Sequence, residues 1–309
     1  MNKFVIGVAS VIIIGLSIST FYYEGTRKEG PQLWSEQSPQ LATEDDQTET
    51  LQPIYTDEQI GYSLQNNQLQ ITFDQGVNWV NVPVELDQLF SGEFNGNREE
   101  LIEHSYILNE KRTAFLYSEG LAEVGKRVVY IYSTDQGQNW EKTIVTEPYP
   151  SMRFRKVAFL SDKFGYIIVS GDRTMSQEMS NVFLTYDGGR IWKETNRSGV
   201  TTLLSDGGFI DERVGFLSFS YINPLEPILY VTEDAGNTWE SATIDIPEKY
   251  LEIFVTAEMP YKENDHLAML LNQGPNGDYL GGKVKGKFIS NDGGENWEFA
   301  MEVDPDKET

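Results

Sequence analysis

Short apolar runs alternate along this chain with polar turns rich in Asp, Gly, Asn and Ser. Leu69–Ile71, Val128–Tyr132, Val182–Leu184, Ile228–Val231 and Phe288–Ile289 are each followed by one turn pattern, Ser/Thr-x-Asp-x-Gly-x-x-Trp. The five copies run from Thr72 to Trp79, Ser133 to Trp140, Thr185 to Trp192, Thr232 to Trp239 and Ser290 to Trp297. β-branched and aromatic runs bounded by such turns read as strands. A looser repeat lies upstream of the turns: Asp57 to Tyr62, Asp162 to Tyr166 and Asp211 to Phe216, with degraded versions at Asn109 to Phe115 and Asp265 to Met269. Each joins two further strand-like runs, such as Lys156–Leu160 and Tyr166–Ser170. The repeating unit is therefore four short strands.

The conserved types within each turn have local reasons. The hydroxyl and the carboxylate accept hydrogen bonds from turn amides, and Gly takes a positive φ. The Trp opens the next strand and brings a large ring to bury. Asp74, Gly76 and Trp79 hold these positions in the first copy, and Asp135, Gly137 and Trp140 in the second. Asp187, Gly189 and Trp192, then Asp234, Gly236 and Trp239, and finally Asp292, Gly294 and Trp297 complete the set. The aspartates recur every 47 to 61 residues. A single four-stranded sheet cannot hide both faces, whereas radial packing of several can, which predicts a β-propeller. The expected fold is all-β, with five four-stranded antiparallel blades over residues 51–303 and a polar tail at 304–309. Residues 86–100 are too few for a sixth blade. The first and fifth blades are expected to pack together and close the ring, and all five box tryptophans to be largely buried.

These turns resemble the Asp-box, or BNR, repeat of sialidase-like propellers. The arrangement over residues 51–303 is also similar to the Ycf48-like bacterial family of photosystem assembly factors. The resemblance implies that the boxes are structural, lying on the face away from any catalytic pocket. Sialidase chemistry would imply three arginines clamping a carboxylate, a Tyr–Glu nucleophile pair and an acid/base Asp, with the first arginine in a Phe/Tyr-Arg-Ile-Pro string before the first box. Met152-Arg153-Phe154-Arg155 is the nearest string, without the proline and after the second box. The Ycf48-like resemblance implies an assembly role through protein binding.

Before the repeats, Phe4 to Tyr23 carries no charge and is mostly apolar, with Lys3 ahead and Arg27 and Lys28 behind. Residues 1–23 read as a signal-anchor or signal peptide. The aromatic group Phe21, Tyr22 and Tyr23, placed where an interfacial belt would lie, favours an uncleaved anchor over a weak Ser17-Ile18-Ser19 cleavage site. The expectation is a single-pass membrane protein with its propeller outside the cytoplasm, the alternative being secretion after cleavage. Residues 24–50 are polar and acidic, the composition of a flexible tether, with Trp34 as the one large apolar side chain.

Composition narrows the chemistry. Asp and Glu number 48 against 24 Lys and Arg, a formal net charge of −24. That field disfavours nucleic acid as a partner and gives the domain no affinity for an anionic membrane surface. There is no cysteine, and His104 and His266 are far apart, so no thiolate or histidine-rich metal site is expected. No cofactor or metal and no catalytic residue is assigned. Asp292-Gly293-Gly294-Glu295-Asn296 lacks the alternating ligands of a calcium loop and belongs to the turn. The reading is a non-catalytic, monomeric scaffold that binds a protein or a cell-surface glycan or polymer; the alternative is a sialidase-like glycoside hydrolase or lyase, whose two carboxylates could be any among 48 acids. The variable segments opposite the boxes, 85–100, 118–126, 171–181, 221–227 and 272–285, are the candidate binding loops. Phe90, Phe94, Tyr221 and Tyr279 are their candidate partner-binding residues.

Overall fold

The short apolar runs pair into five antiparallel sheets in chain order. A computed structural model describes residues 51–94, 96–120 and 125–304. The N-terminal hydrophobic segment, the tether with Trp34, and tail residues 305–309 lie outside the described residues. Among the described residues no helix is long and apolar enough to cross a membrane.

Sheet one contains β1 (Ile54–Tyr55), β2 (Gly61–Ser63), β3 (Gln68–Thr72) and β4 (Val80–Glu85). A short helix, α1 (Leu86–Leu89), leads into sheet two: β5 (Tyr106–Leu108), β6 (Thr113–Glu119), β7 (Lys126–Ser133) and β8 (Glu141–Tyr149). Sheet three holds β9 (Met152–Phe159), β10 (Gly165–Thr174), β11 (Gln177–Thr185) and β12 (Lys193–Glu194). Sheet four holds β13 (Leu203–Phe209), β14 (Gly215–Ser220), β15 (Ile228–Thr232) and β16 (Glu240–Ser241). Each of these sheets pairs consecutive strands antiparallel, as propeller blades do.

Sheet five departs from the four-strand plan. Its strands are β17 (Thr243–Asp245), β18 (Thr256–Ala257), β19 (Tyr261–Glu263), β20 (His266–Asn272), β21 (Lys285–Ser290) and β22 (Asn296–Val303). The inner strand is split into β18 and β19, both antiparallel to β20. Pro260 sits between the two pieces, where it has no N–H to offer a ladder. At the other edge β17 leaves blade four and runs parallel to β22, strapping the two blades together.

All five boxes fold alike. In the first, the Thr72 hydroxyl donates to Asp74 Oδ1 at 2.9 Å and accepts the Gly76 amide at 2.9 Å. Asp74 Oδ1 also accepts the Asn78 amide at 2.8 Å, and Oδ2 the Asn78 side-chain amide at 2.6 Å. Asn139 and Asn296 repeat the double contact to Asp135 and Asp292, and Thr238 does so with its amide and hydroxyl to Asp234. In the third box the backbone amides of Arg190 and Ile191 join the Thr185 hydroxyl on Asp187, and no side chain takes the place of Asn78, because Ile191 has no donor. Two successive residues take positive φ in every box, for example Gln136 at 58° and Gly137 at 83°. That conformation costs a non-glycine residue energy, and boxes three and five avoid the cost with Gly-Gly.

Boxes two to five each seat their blade on the one before it. A side chain at Gly137 would meet Val80 and Ile71 of blade one at 2.9 and 3.2 Å, and one at Gly294 would meet Phe216 of blade four at 2.4 Å. Gly189 faces Tyr130 of blade two, and Gly236 faces Thr195 at the end of blade three. The tryptophans join the same interfaces. Trp192 lies edge-on to Tyr130 at 5.3 Å and Trp297 edge-on to Phe216 at 6.2 Å. The Arg112 guanidinium, 3.9 Å from the Phe159 ring, donates to the Tyr130 hydroxyl and the Gly188 carbonyl and so clamps blade two to box three.

Four buried clusters result, joining blades one to two, two to three, three to four, and four to five. Among the described residues no buried cluster joins blade five to blade one. The expected closure is therefore not the arrangement observed, and the reason is polarity. The outward face of blade one presents Ser63, Gln70 and Asn81, with Gln70 bonded to Asn81 at 2.8 Å. The outward face of blade five carries Glu263, His266, Lys285, Lys287 and Glu298, with Lys287 paired to Glu263 and Lys285 to Glu258, each at 2.6 Å. On blade five these ion pairs interleave with Tyr261, Leu270, Ile289 and Met301 on the same face, so charges break up the apolar surface that the other interfaces bury. Gly76 meets only its own Trp79 and Pro53.

Burial of the tryptophans differs accordingly from expectation. Trp297 and Trp192 are buried, at 1% and 9% exposure, whereas Trp79, Trp140 and Trp239 are half-buried. Among the described residues no preceding blade lies beneath Trp79. Trp140 and Trp239 lie at the rim, against Phe115 and Phe209. The upstream repeat is also one residue out of frame in blade three. Ser161, not Asp162, accepts the turn amides of Lys163 and Phe164, as Asp57 and Asp211 do in their own turns.

Hydrogen bonding sets the titration of the boxes. The Asn139 side chain and amide bring Asp135 down to about 2, and Asn296 does the same for Asp292, from an ordinary 3.8. Asp74 and Asp234 are lowered chiefly by the Asn78 and Thr238 amides; at Asp187 desolvation is the largest single effect and opposes the shift, but the Ile191 and Arg190 amides, the Thr185 hydroxyl and the Arg190 charge together outweigh it. A carboxyl lowered on folding contributes stability that is complete above its unfolded value and is lost as pH falls through its folded value. The urea midpoint is thus expected to fall between pH 4 and pH 2, and the Asp135→Asn/Asp292→Asn variant to show a shallower decline over that window. A variant with the wild-type slope would contradict this assignment.

Candidate partner-binding site

On the rim opposite the boxes, three segments of blades four and five meet. They are the β14–β15 loop, the connection from β17 to β18, and the β20–β21 loop. Asn276 Nδ2 donates to Asn223 Oδ1 at 3.1 Å and ties the first loop to the third. Gln273 anchors the third loop from within: its Nε2 donates to the Tyr279 carbonyl at 2.9 Å and the Val284 carbonyl at 2.8 Å. Tyr279 is pinned by a hydrogen bond from its hydroxyl to Glu302 at 3.1 Å, and Tyr250 donates to the same carboxylate oxygen. Those two hydroxyls hold the Glu302 carboxyl below its usual range, the Tyr250 bond contributing most.

Two adjoining clefts lie between these segments. One of about 290 Å³ is lined by Pro224, Leu225, Ile253, Gln273, Tyr279 and their neighbours. The other, of about 550 Å³, runs along Leu225, Ile228, Tyr230, Ile244, Ile246 and Leu251. Leu225 and Glu252 belong to both. Around them the loops expose Tyr221, Ile222, Leu225, Leu251 and Leu280, each more than half exposed. Single exposed apolar residues are ordinary, whereas a group converging on one rim marks an interaction surface.

The candidate loop aromatics divide. Tyr221 and Tyr279 lie on this rim. Phe90 does not: it is 3% exposed, in the core between blades one and two, with Phe94 packed on it at 5.7 Å. The 85–100 segment turns inward because α1 buries Leu89, and Arg155 of the inner strand β9 donates to the Leu89 and Ser91 carbonyls. At Gly92 a side chain would meet the Met152 carbonyl at 2.2 Å, so only glycine allows this approach. Sequence reasoning missed Leu225, Leu251, Leu280 and Gln273. No periodicity marks an isolated apolar residue in a loop, and only the connection before β18 brings Leu251 to the other two.

The inner strands offer a second place to look for chemistry. Arg153 is committed to Glu178 and the Leu204 carbonyl, and Lys156 to Asp206 at 2.6 Å. With Arg155 and Arg112 bound to carbonyls as above, these arginines leave no free forks for a substrate carboxylate. Among the described residues no group of three or more His, Asp or Glu side chains is placed to hold a metal ion.

Comparison with known proteins agrees at the level of the repeat. The BNR/Asp-box repeat model matches residues 131–142, the second box and its flanks. The vacuolar protein sorting/targeting protein 10 of Schizosaccharomyces pombe is 28% identical over 127 residues, 38% of this chain but only 8% of that protein. Among solved structures, a GH43_1 enzyme from Xanthomonas citri covers 64% of this chain and 73% of its own, at 11% identity and TM-score 0.37. A Trypanosoma rangeli sialidase mutant covers 79% and 46%, at 9% and 0.40, and an ancestral GH74 enzyme 81% and 31%, at 12% and 0.42. Scores below 0.5 say nothing of activity; the propeller assignment rests on the blades and boxes themselves.

Because two carbonyls depend on Gln273 Nε2, Gln273→Ala should loosen the β20–β21 loop. The expected cost is about 1–3 kcal/mol in urea unfolding, with faster amide exchange confined to residues 274–284. Unchanged exchange there would mean the glutamine does not hold the loop.

Proposed function

We propose that this chain is a non-catalytic propeller that binds a protein partner through the blade-four and blade-five rim. The observation that carries this reading is the pair of adjoining clefts lined in part by the exposed Leu225 and Leu251, with Tyr221, Ile222 and Leu280 exposed in the same loops. Apolar contact area of this kind suits a protein surface better than a hydroxyl-rich glycan. The commitment of Arg153 and Arg155 to groups of the fold weighs against a sialidase-type carboxylate clamp. The sorting and targeting role in the printed name of the Schizosaccharomyces pombe relative accords with protein handling. On this reading the hydrophobic segment Phe4–Tyr23 anchors the propeller outside the cytoplasm, and a role in assembling other membrane-associated proteins, as the Ycf48-like resemblance implies, follows naturally from that position.

A photo-cross-linking residue at position 280 of the full chain, in the cells that make it, should give a discrete protein adduct that Leu225→Asp reduces at least tenfold. Absence of any adduct, together with release of sugar from aryl glycosides by the purified chain, would overturn the proposal in favour of a hydrolase.

A further inference from the structure

We infer that the occupant of the two clefts is an extended peptide segment in which Lys or Arg alternates with apolar side chains. The inference rests on the protein-binding reading above and specifies the partner's chemistry. Three observations carry it. First, the clefts are acidic and hold no cation of their own. Glu226, Asp245 and Glu252 line the larger one and Glu252 and Asp278 the smaller, with no Lys or Arg in either lining. Among the described residues none of these four carboxylates forms an ion pair, unlike Glu119, Glu178, Glu258 and Glu263 elsewhere in the fold. A net charge of −24 adds to the field drawing a cation in.

Second, the wall of the smaller cleft holds a buried acceptor that, among the described residues, has nothing to accept. Gln273 is 5% exposed, both hydrogens of its Nε2 are used, and its Oε1 has no partner. Gly277 stands beside this oxygen, where a side chain would come within 3.0 Å of it. Only a donor completes such a site, and a peptide N–H or an ammonium group is one, whereas a carboxylate or phosphate is not.

Third, the shape favours an extended chain. Leu225 and Glu252 are shared by both clefts, so the two form one trough with apolar walls and acidic rims. Along it β15 carries β14 on one edge but β16 over only Tyr230 and Val231 on the other, where the Ala242 amide still reaches the Leu229 carbonyl, so beyond that bond the Ile228 end meets the larger cleft with one edge unpaired. Alternating side chains of an added strand would place apolar groups against Leu225, Ile253 and Ile244 and cations toward the carboxylates.

The test uses the full chain and three fluorescein-labelled decapeptides: one alternating Lys or Arg with Leu, Val and Phe, and two in which the basic residues become Gln or Glu. Fluorescence anisotropy should show the basic peptide binding at least tenfold more tightly than the Gln peptide, weakening between 50 and 200 mM salt, with the Glu peptide unbound. The Glu252→Lys/Asp278→Lys variant, with an unchanged circular dichroism spectrum, should lose at least tenfold of that affinity. Equal binding of the basic and Gln peptides, or full affinity in the charge-reversed variant, would overturn the inference. If the cross-link at position 280 survives charge reversal while remaining sensitive to Leu225→Asp, the protein-binding reading stands and the basic-segment inference falls.

Discussion

The interaction on which this fold depends is the seating of each box turn on the preceding blade. A hydroxyl, a carboxylate and two residues of positive φ make a turn compact enough for its glycine to touch the neighbouring sheet. A single added methyl group at Gly137 or Gly294 would strike side chains of that sheet. The turn is locally determined and its docking is not. The result is a one-directional stack: blade two rests on one, three on two, four on three, and five on four. The β17 strap and the Arg112 clamp reinforce particular joints, and most of the apolar area removed from water lies in the four buried clusters.

A stack with a direction has two unlike ends. Among the described residues blade one has no sheet beneath its box, and its outward face carries a Gln70–Asn81 pair where the interior faces carry Val, Leu and aromatic rings. Blade five ends in a ladder of ion pairs between Glu258, Glu263, Lys285 and Lys287. Partly exposed pairs of this kind contribute little to stability, yet they keep a sheet face soluble and discourage it from packing on another. The β20–β21 loop and the β17–β18 connection of the last blade meet blade four, and there the apolar rim and its acidic trough assemble.

The repeats were legible because the box requires particular residues at fixed spacing, whatever the rest of the chain does. Asp135, Gly137 and Trp140 declare a turn and the start of a strand without any knowledge of neighbours. Closure was misread although its answer was also in the residues. Gln68-Leu69-Gln70-Ile71 alternates strictly, so one face of β3 is polar, and a strand between two packed blades needs both faces apolar. Phe90 was misplaced because a loop was inferred from variable length, whereas α1 turns the segment inward and buries it. The rim was half-read: Tyr221 and Tyr279 stood in loops already singled out, but Leu251 and the unpaired Gln273 oxygen become meaningful only once blades four and five are side by side.

The account's central claim is that a box stabilises its blade through the blade before it, and that among the described residues the first box has none. Replacing each box tryptophan by Ala in turn and measuring urea unfolding tests this most directly. Trp297→Ala and Trp192→Ala should cost about 3–5 kcal/mol, the range for truncating a large buried aromatic, while Trp79→Ala should cost no more than about 1 kcal/mol. A loss at Trp79 equal to that at Trp297 would show that blade five seats the first box after all, and would contradict the open stack.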